Sequence, residues 1–177
     1  VRAKTLPAGD HRGSLVLESA ESAAVRVPFR VRVAKVRFPE RTTLNLGGWA
    51  YTDRIGQGGV TAANRDALVA TLKAHYVNAP WATASVLPTG SLDEQGQFVK
   101  PPDTAAFDAF VKLWPEARHY MVFVSVGDWG SMTGGFAGSA RGTPAFEAKL
   151  ATWARFWGDH VRSLELEPQQ LGLLLVD

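Results

Sequence analysis

The sequence of 177 residues contains no cysteine, which excludes disulfides, thiolate metal sites and a cysteine nucleophile. It also lacks long hydrophobic runs. Apolar stretches such as Met121–Val124 and Leu173–Val176 are far too short to span a bilayer, so we expect no membrane span. The opening residues show neither the charged nor the apolar region of a secretory signal peptide, and we expect none in this chain.

Strong charge of either sign is missing as well. Nineteen lysines and arginines stand against seventeen acidic residues, a net charge of +2. Nucleic-acid binders usually carry a large basic excess on one face, so we expect no nucleic-acid partner. The sequence has no phosphate-binding loop, no dinucleotide-binding glycine pattern, no HExxH zinc motif and no GxSxG elbow. Its four scattered histidines favour structural roles over metal binding. We therefore expect no metal and no cofactor.

What is present is globular composition, 46% hydrophobic and 20% charged. The first forty residues are typical of β-structure, with strand candidates at Gly13–Ser19 and Val25–Val33. In the second strand valines and Phe29 alternate with arginines and Pro28, which predicts one buried and one cationic face. Because Pro28 cannot donate a ladder hydrogen bond, an edge strand or a bulge is indicated. The arginines fit either an anion site or a solvated sheet face.

From residue 43 onward, apolar strands alternate with amphipathic helices. Such an order predicts a parallel sheet covered by helices, either a doubly wound open sheet or a (β/α)8 barrel. The four predicted strands are Thr43–Tyr51, Ala82–Leu87, Tyr120–Val126 and Leu171–Val176. The three predicted helices are Thr61–Asn78, Thr104–Trp114 with Asp103 as its cap, and a long helix that begins after Thr143 with Pro144 in its first turn.

Ligands bind at the carboxyl ends of parallel strands. Aromatic rings stack on sugar rings and carboxylates bind sugar hydroxyls, so these strand ends indicate a carbohydrate ligand. Candidate residues there are Trp49, Tyr51 and Asp53 after the first strand, Pro88 and Thr89 after the second, Ser125, Asp128 and Trp129 after the third, and Asp177 after the fourth. Alternatives remain open: Trp49 and Tyr51 as core-filling side chains, Asp128 as a turn residue, and Asp177 as a helix cap.

Several segments together resemble glycoside hydrolase family 123, the β-N-acetylgalactosaminidases. They are AGDHRGSLVLES, VPFRVRV, LNLGGWAYTD, LKAHYVNAP, DEQGQFV and the final LGLLLVD. The resemblance implies that residues 1–40 are the end of a β-sandwich domain. It implies that residues 41–177 are the first half of a (β/α)8 barrel, cut after its fourth strand. It also implies a secreted, periplasmic or cell-surface location.

The resemblance further implies substrate-assisted hydrolysis of N-acetylated hexosides. In this scheme Asp177 is the catalytic carboxylate that orients the 2-acetamido group, and a glutamate that would follow it is the general acid. Trp49, Tyr51, Asp128 and Trp129 are then the substrate-binding residues. Because that glutamate is not in this sequence, we expect the chain alone to be inactive. The alternatives are a non-catalytic carbohydrate-binding or surface protein and, more weakly, a different barrel enzyme such as a lyase or isomerase.

Overall fold

The computed structural model describes residues 6–36, 39–48, 50–56, 58–124 and 135–174. The chain divides into two compact units, Val1–Glu40 and Arg41–Asp177. Trp49, Asp128, Trp129 and Asp177, four of the five predicted site residues, lie outside the described residues.

The first unit is one antiparallel hairpin of strands β1 (Gly9–Ser19) and β2 (Ser22–Val33). Leu15 pairs with Val27 and Pro28 with Ser14, and a register shift follows Leu17. Both strands are edges of this two-stranded sheet, which accommodates Pro28. The described residues of this unit form a single two-stranded sheet. That residues 1–40 are the end of a β-sandwich domain stays a prediction.

The arginine-bearing face of the hairpin contains a small ion-pair network. Asp10 accepts hydrogen bonds from Arg32 Nε at 2.8 Å and from Arg30 Nη2. The bonds from Arg32 and Arg30 lower the pKa of the Asp10 carboxyl below its ordinary value. The arginines therefore lie on a solvated sheet face and are partly neutralised by Asp10.

The described residues of the second unit form three helices and a three-stranded parallel sheet, in which Tyr120–Phe123 is the middle strand. The helices are α1 (Arg65–Ala74), α2 (Ala105–Leu113) and α3 (Pro144–Ser163). The parallel strands are β3 (Trp81–Thr83), β6 (Tyr120–Phe123) and β9 (Leu171–Leu174). Two small hairpins complete the unit: β4 (Ser91–Leu92) with β5 (Phe98–Lys100), and β7 (Gly135–Phe136) with β8 (Ser139–Ala140).

The prediction that residues 41–177 form the first half of a (β/α)8 barrel is wrong. The described residues form a small mixed α/β unit with three parallel strands instead of four barrel strands. In the described residues of the expected first strand, Thr43–Tyr51, the pairing is a single bridge between Gly47 and Ala79. Beside this bridge, the Asn78 side chain binds backbone groups that a neighbouring strand would otherwise pair with. Its Oδ1 accepts from Leu46 N at 2.9 Å and its Nδ2 donates to Leu44 O at 3.0 Å.

Aromatic side chains fill the space between the sheet and helices α2 and α3. Tyr120 and Val122 of β6 point to this side and are almost completely buried. The Phe107 ring of α2 contacts Tyr120 and Trp157 edge to face, with centroids 6.2 Å and 5.7 Å apart. Tyr120 donates its hydroxyl to Trp114 O at 2.8 Å, and its burial raises its pKa above the ordinary value. The helical periodicity of the sequence therefore identified the helices that cover this face.

Helix α3 begins as the sequence predicts. Thr143 Oγ1 accepts from Phe146 N at 3.2 Å, and Pro144 occupies the first turn, where no backbone donor is needed. The amine of Lys149 is buried and donates to Glu94 Oε1 at 2.9 Å and to Ala137 O at 3.2 Å. This side chain fastens both small hairpins to α3.

The four histidines were expected to be structural, and His160 has such a position. Its Nε2 lies 2.6 Å from Asp108 Oδ1, which joins α3 to α2. The ring also packs against Phe107, Phe156 and Trp157. In the described part of the chain, no three histidine, aspartate or glutamate side chains come together as a metal site requires.

The segment before α1 is anchored to the core by a buried hydrogen bond. Trp114 Nε1 donates to Thr52 Oγ1 at 2.9 Å, and both side chains are at most 1% exposed. We expect Thr52→Val, which keeps the shape and removes the acceptor, to lower the free energy of unfolding by about 1–3 kcal/mol, since the indole N–H is left unpaired.

Urea unfolding followed by circular dichroism measures this loss. Thr71→Val on the exposed surface of α1 is the control, because its hydroxyl only donates to Ala67 O in its own helix. Equal stability of the two variants would contradict an anchoring role for Thr52.

Candidate functional site

The carboxyl end of β3 brings together three polar side chains from two segments. Asp53 Oδ2 accepts from Thr83 N at 3.1 Å and from Thr83 Oγ1 at 2.7 Å. Thr83 Oγ1 lies 2.7 Å from Ser85 Oγ. Because the single Thr83 hydroxyl hydrogen points to Asp53, Ser85 must be the donor in that second contact. A directed chain therefore runs from Ser85 through Thr83 to Asp53.

The second oxygen of the Asp53 carboxylate is in a different situation. Asp53 Oδ1 is buried and has no hydrogen-bond partner among the described residues. Buried acceptors are rarely left unsatisfied, and exceptions occur at sites that receive an external donor. Arg65 Nε, Ser139 Oγ and Trp157 Nε1 are likewise buried without a partner in the described residues. Asp53 Oδ1 differs in its place, because it lies at the carboxyl end of a parallel strand, where ligands of such sheets bind.

Neighbouring interactions fix the position of Asp53. The preceding residue, Thr52, is held in the core by Trp114. Thr83 is the last residue of β3, whose register with β6 places it beside Phe123. The carboxylate is thus fixed from both sides, by the buried core before it and by the sheet edge beside it. Such support keeps a binding group in a single geometry.

Side chains alternate along a strand, so Trp81 shares a sheet face with Thr83. Register places Met121 and Phe123 of β6 on this face, together with Gly172 and Leu174 of β9. It is the face opposite to Tyr120 and Val122, which α2 covers. The side chains of Trp81, Met121, Phe123 and Leu174 are half-buried, and Trp81 and Phe123 supply the aromatic rings of this face.

Gly47 makes room for the Trp81 indole at this face. A Cβ atom at Gly47 would lie 2.8 Å from Trp81 Nε1 and would collide with the backbone oxygen of Ala79. Only glycine permits both the Gly47–Ala79 bridge and the observed position of the indole ring. Gly47, the first glycine of the LNLGGWAYTD segment, thus shapes the aromatic part of the site.

The structure describes Tyr51, one of the predicted substrate-binding residues. Tyr51 is half-buried and precedes the anchored Thr52. Trp49, Asp128, Trp129 and Asp177 lie outside the described residues, so no geometry joins them to Tyr51. Asp53 was on the list of strand ends, but it was not among the residues assigned to the site.

Thr83 and Ser85 were missed by sequence reasoning. The predicted strand Ala82–Leu87 ends four residues early, at Thr83, where a 3₁₀ turn over Ala84–Val86 begins. The expected strand-end residues, Pro88 and Thr89, therefore come after that turn. The signal that could have found them is a pair of hydroxyl residues two positions apart, Thr83 and Ser85, directly before Val86 and Leu87.

The described site suits a neutral, hydroxyl-rich ligand. It offers one oriented carboxylate, two hydroxyls and an aromatic surface, which are the groups that bind sugar hydroxyls and stack on sugar rings.

None of the helices in the described ranges is both long and apolar enough to cross a membrane.

Comparison with known proteins adds no relative. No protein-family model, no curated protein and no solved structure matches the chain. The resemblance to glycoside hydrolase family 123 therefore stays a prediction.

We expect Gly47→Ala to displace the Trp81 indole and to lower the free energy of unfolding by about 1–3 kcal/mol, because backbone must move to admit the methyl group. Thermal unfolding measures the loss. The control is Gly158→Ala in α3, where an added Cβ approaches only Arg162 Nη1 at 4.0 Å. This control should be neutral or slightly stabilising, since alanine favours helix. Equal melting temperatures for the two variants would show that Gly47 is not under steric constraint.

Proposed function

We propose that the chain binds a carbohydrate at the carboxyl edge of its parallel sheet and serves glycoside hydrolysis there. The observation that carries this proposal is the buried, unpartnered Oδ1 of Asp53 beside the Thr83 and Ser85 hydroxyls. A sugar hydroxyl that donates to Oδ1 would satisfy this acceptor. The position agrees with the general rule that ligands of parallel α/β sheets bind at the strands' carboxyl ends.

Two further features support a sugar over other ligands. The half-buried Trp81 shares its sheet face with Thr83, so an aromatic surface and a carboxylate are close together. In the described residues, no three histidine, aspartate or glutamate side chains lie together as a metal-binding cluster would require. A neutral ring with several hydroxyls uses both the aromatic and the acceptor groups of this site.

The chemical step in this proposal comes from the family resemblance. The 2-acetamido carbonyl oxygen of the substrate attacks the anomeric carbon, and the glycosidic oxygen leaves with a proton from a general acid. Asp177 accepts the acetamido N–H and stabilises the positive charge that develops on that group. Asp53 is a substrate-binding residue in this scheme, since it accepts a hydroxyl hydrogen and transfers no proton.

Binding of N-acetylgalactosamine to the 177-residue chain, measured by isothermal titration calorimetry, tests the site. We expect Asp53→Asn to weaken binding about tenfold or more, because a hydrogen bond to a charged acceptor contributes about 1.5–3 kcal/mol. Glu116→Gln, at an exposed position, removes the same charge elsewhere and should leave the affinity unchanged.

Absence of binding, or equal affinity in the two variants, would contradict the proposed site. Hydrolysis of nitrophenyl N-acetyl-β-galactosaminide by the complete product of the source gene separates the two carbohydrate functions. Turnover that falls by orders of magnitude in Asp177→Asn supports the hydrolase, whereas binding without turnover supports non-catalytic carbohydrate recognition.

A further inference from the structure

The three polar side chains at the carboxyl end of β3 use all of their own hydrogens within the cluster. Thr83 donates its hydroxyl hydrogen to Asp53 Oδ2 at 2.7 Å and its backbone hydrogen to the same oxygen at 3.1 Å. Ser85 donates its single hydroxyl hydrogen to Thr83 Oγ1 at 2.7 Å. The Asp53 carboxylate has no hydrogen to donate. A ligand that contacts these side chains therefore meets hydrogen-bond acceptors only.

Two acceptors remain open, one at each end of this chain of hydrogen bonds. Asp53 Oδ1 is buried and has no partner among the described residues, although Asp53 as a whole is half-buried. Ser85 is exposed, and its Oγ accepts no hydrogen bond in the described part of the chain, since it is the donor toward Thr83. Two bonds of 2.7 Å each connect Ser85 through Thr83 to the Asp53 carboxylate. One sugar ring is therefore large enough to reach both acceptors.

We propose, on the basis of the carbohydrate function proposed above, that the site selects its ligand by two hydrogen-bond donors, one bound by Asp53 Oδ1 and one by Ser85 Oγ. Ser85 is then a specificity-determining residue beside Asp53. The ligand is a sugar with free hydroxyls at both contact positions. A sugar that is methylated or sulfated at either position lacks the required hydrogen, and a sulfate group is also repelled by the negative charge of Asp53.

The opposite arrangement, in which the cluster donates to the ligand, would break bonds within the cluster. If Thr83 turned its hydroxyl hydrogen to a ligand, Asp53 Oδ2 would keep only the backbone N–H of Thr83. The charge of a partly buried carboxylate is less stable with fewer donors. Ser85 is exposed and can turn its hydrogen outward by giving up only its bond to Thr83. We therefore expect stricter selection at Asp53 than at Ser85.

Isothermal titration calorimetry with modified sugars tests the proposal. The probes are N-acetylgalactosamine and two series of analogues, in which each hydroxyl except the anomeric one is replaced in turn by hydrogen (deoxy) or by fluorine (deoxyfluoro). Fluorine is a weak acceptor and has no hydrogen to donate. At the position that contacts Asp53, both replacements should weaken binding about tenfold or more, because the lost bond has a charged acceptor. The deoxyfluoro analogue should bind no better than the deoxy analogue, since its fluorine faces a negative oxygen.

Asp53→Asn should reverse the order of these two analogues. The amide oxygen keeps both bonds from Thr83, which require an acceptor, so Nδ2 takes the place of Oδ1 and directs a hydrogen at the ligand. In this variant the deoxyfluoro analogue should bind better than the deoxy analogue, by about twofold or more. A substitution that only loosened the structure would lower both affinities alike.

Ser85→Ala removes the second acceptor at an exposed position. This variant should bind the parent sugar about two- to tenfold more weakly, as expected for one neutral hydrogen bond. It should also lose the penalty for replacing the hydroxyl that contacts Ser85, because that bond is already absent. Ser163→Ala is the control, since Ser163 is exposed as well and donates its hydroxyl to His160 O in its own helix. The control should leave every affinity unchanged.

The possible outcomes distinguish this inference from the proposed function. If the parent sugar does not bind, or binds equally well to the wild type and to Asp53→Asn, the carbohydrate site is wrong and the inference falls with it. If the parent sugar binds through Asp53 but the deoxyfluoro analogue at that contact binds better than its deoxy counterpart in the wild type, selection by donors is overturned while the carbohydrate site stands. Unchanged affinities in Ser85→Ala overturn the role of Ser85 in the same way.

Discussion

The hydrogen bond between the Trp114 indole and the Thr52 hydroxyl is the interaction on which the candidate site depends. Trp114 belongs to the aromatic core beneath the sheet, and Thr52 immediately precedes Asp53. Because Asp53 directly follows Thr52, the core contact of Thr52 also fixes the backbone position of Asp53. Thr83 binds Asp53 Oδ2 through its backbone N–H and its hydroxyl. These bonds orient the Asp53 carboxylate although Asp53 does not belong to a strand.

The parts of the fold that local sequence patterns could predict are those determined by periodicity and capping. Helix α3 begins where Thr143 and Pro144 indicate, and its buried residues Trp153, Trp157 and Val161 recur at the four-residue spacing of one helix face. The barrel prediction was wrong because it required Thr43–Tyr51 to pair as a full strand. Whether that segment pairs is decided by the distant Asn78 side chain and by the close approach at Gly47, and neither contact leaves a local pattern.

The candidate site could be predicted in its location but not in its members. The rule that ligands bind at strand ends put Asp53 on the list, while the contact between Asp53 and Thr83 joins residues thirty positions apart. Thr83 and Ser85 were missed because an apolar run continues past the true strand end into a 3₁₀ turn. Of the five residues that the sequence assigned to the site, Tyr51 is described and lies two residues before Asp53. The other four lie outside the described residues.

The central claim is that a sugar binds at the carboxyl edge of β3. Its most direct test is an amide chemical-shift map of the isotope-labelled chain during titration with N-acetylgalactosamine. We expect saturable shifts centred on the amides of Asp53, Thr83 and Ser85. A titration that leaves these three amides unchanged, or that perturbs only residues of the hairpin, would contradict it.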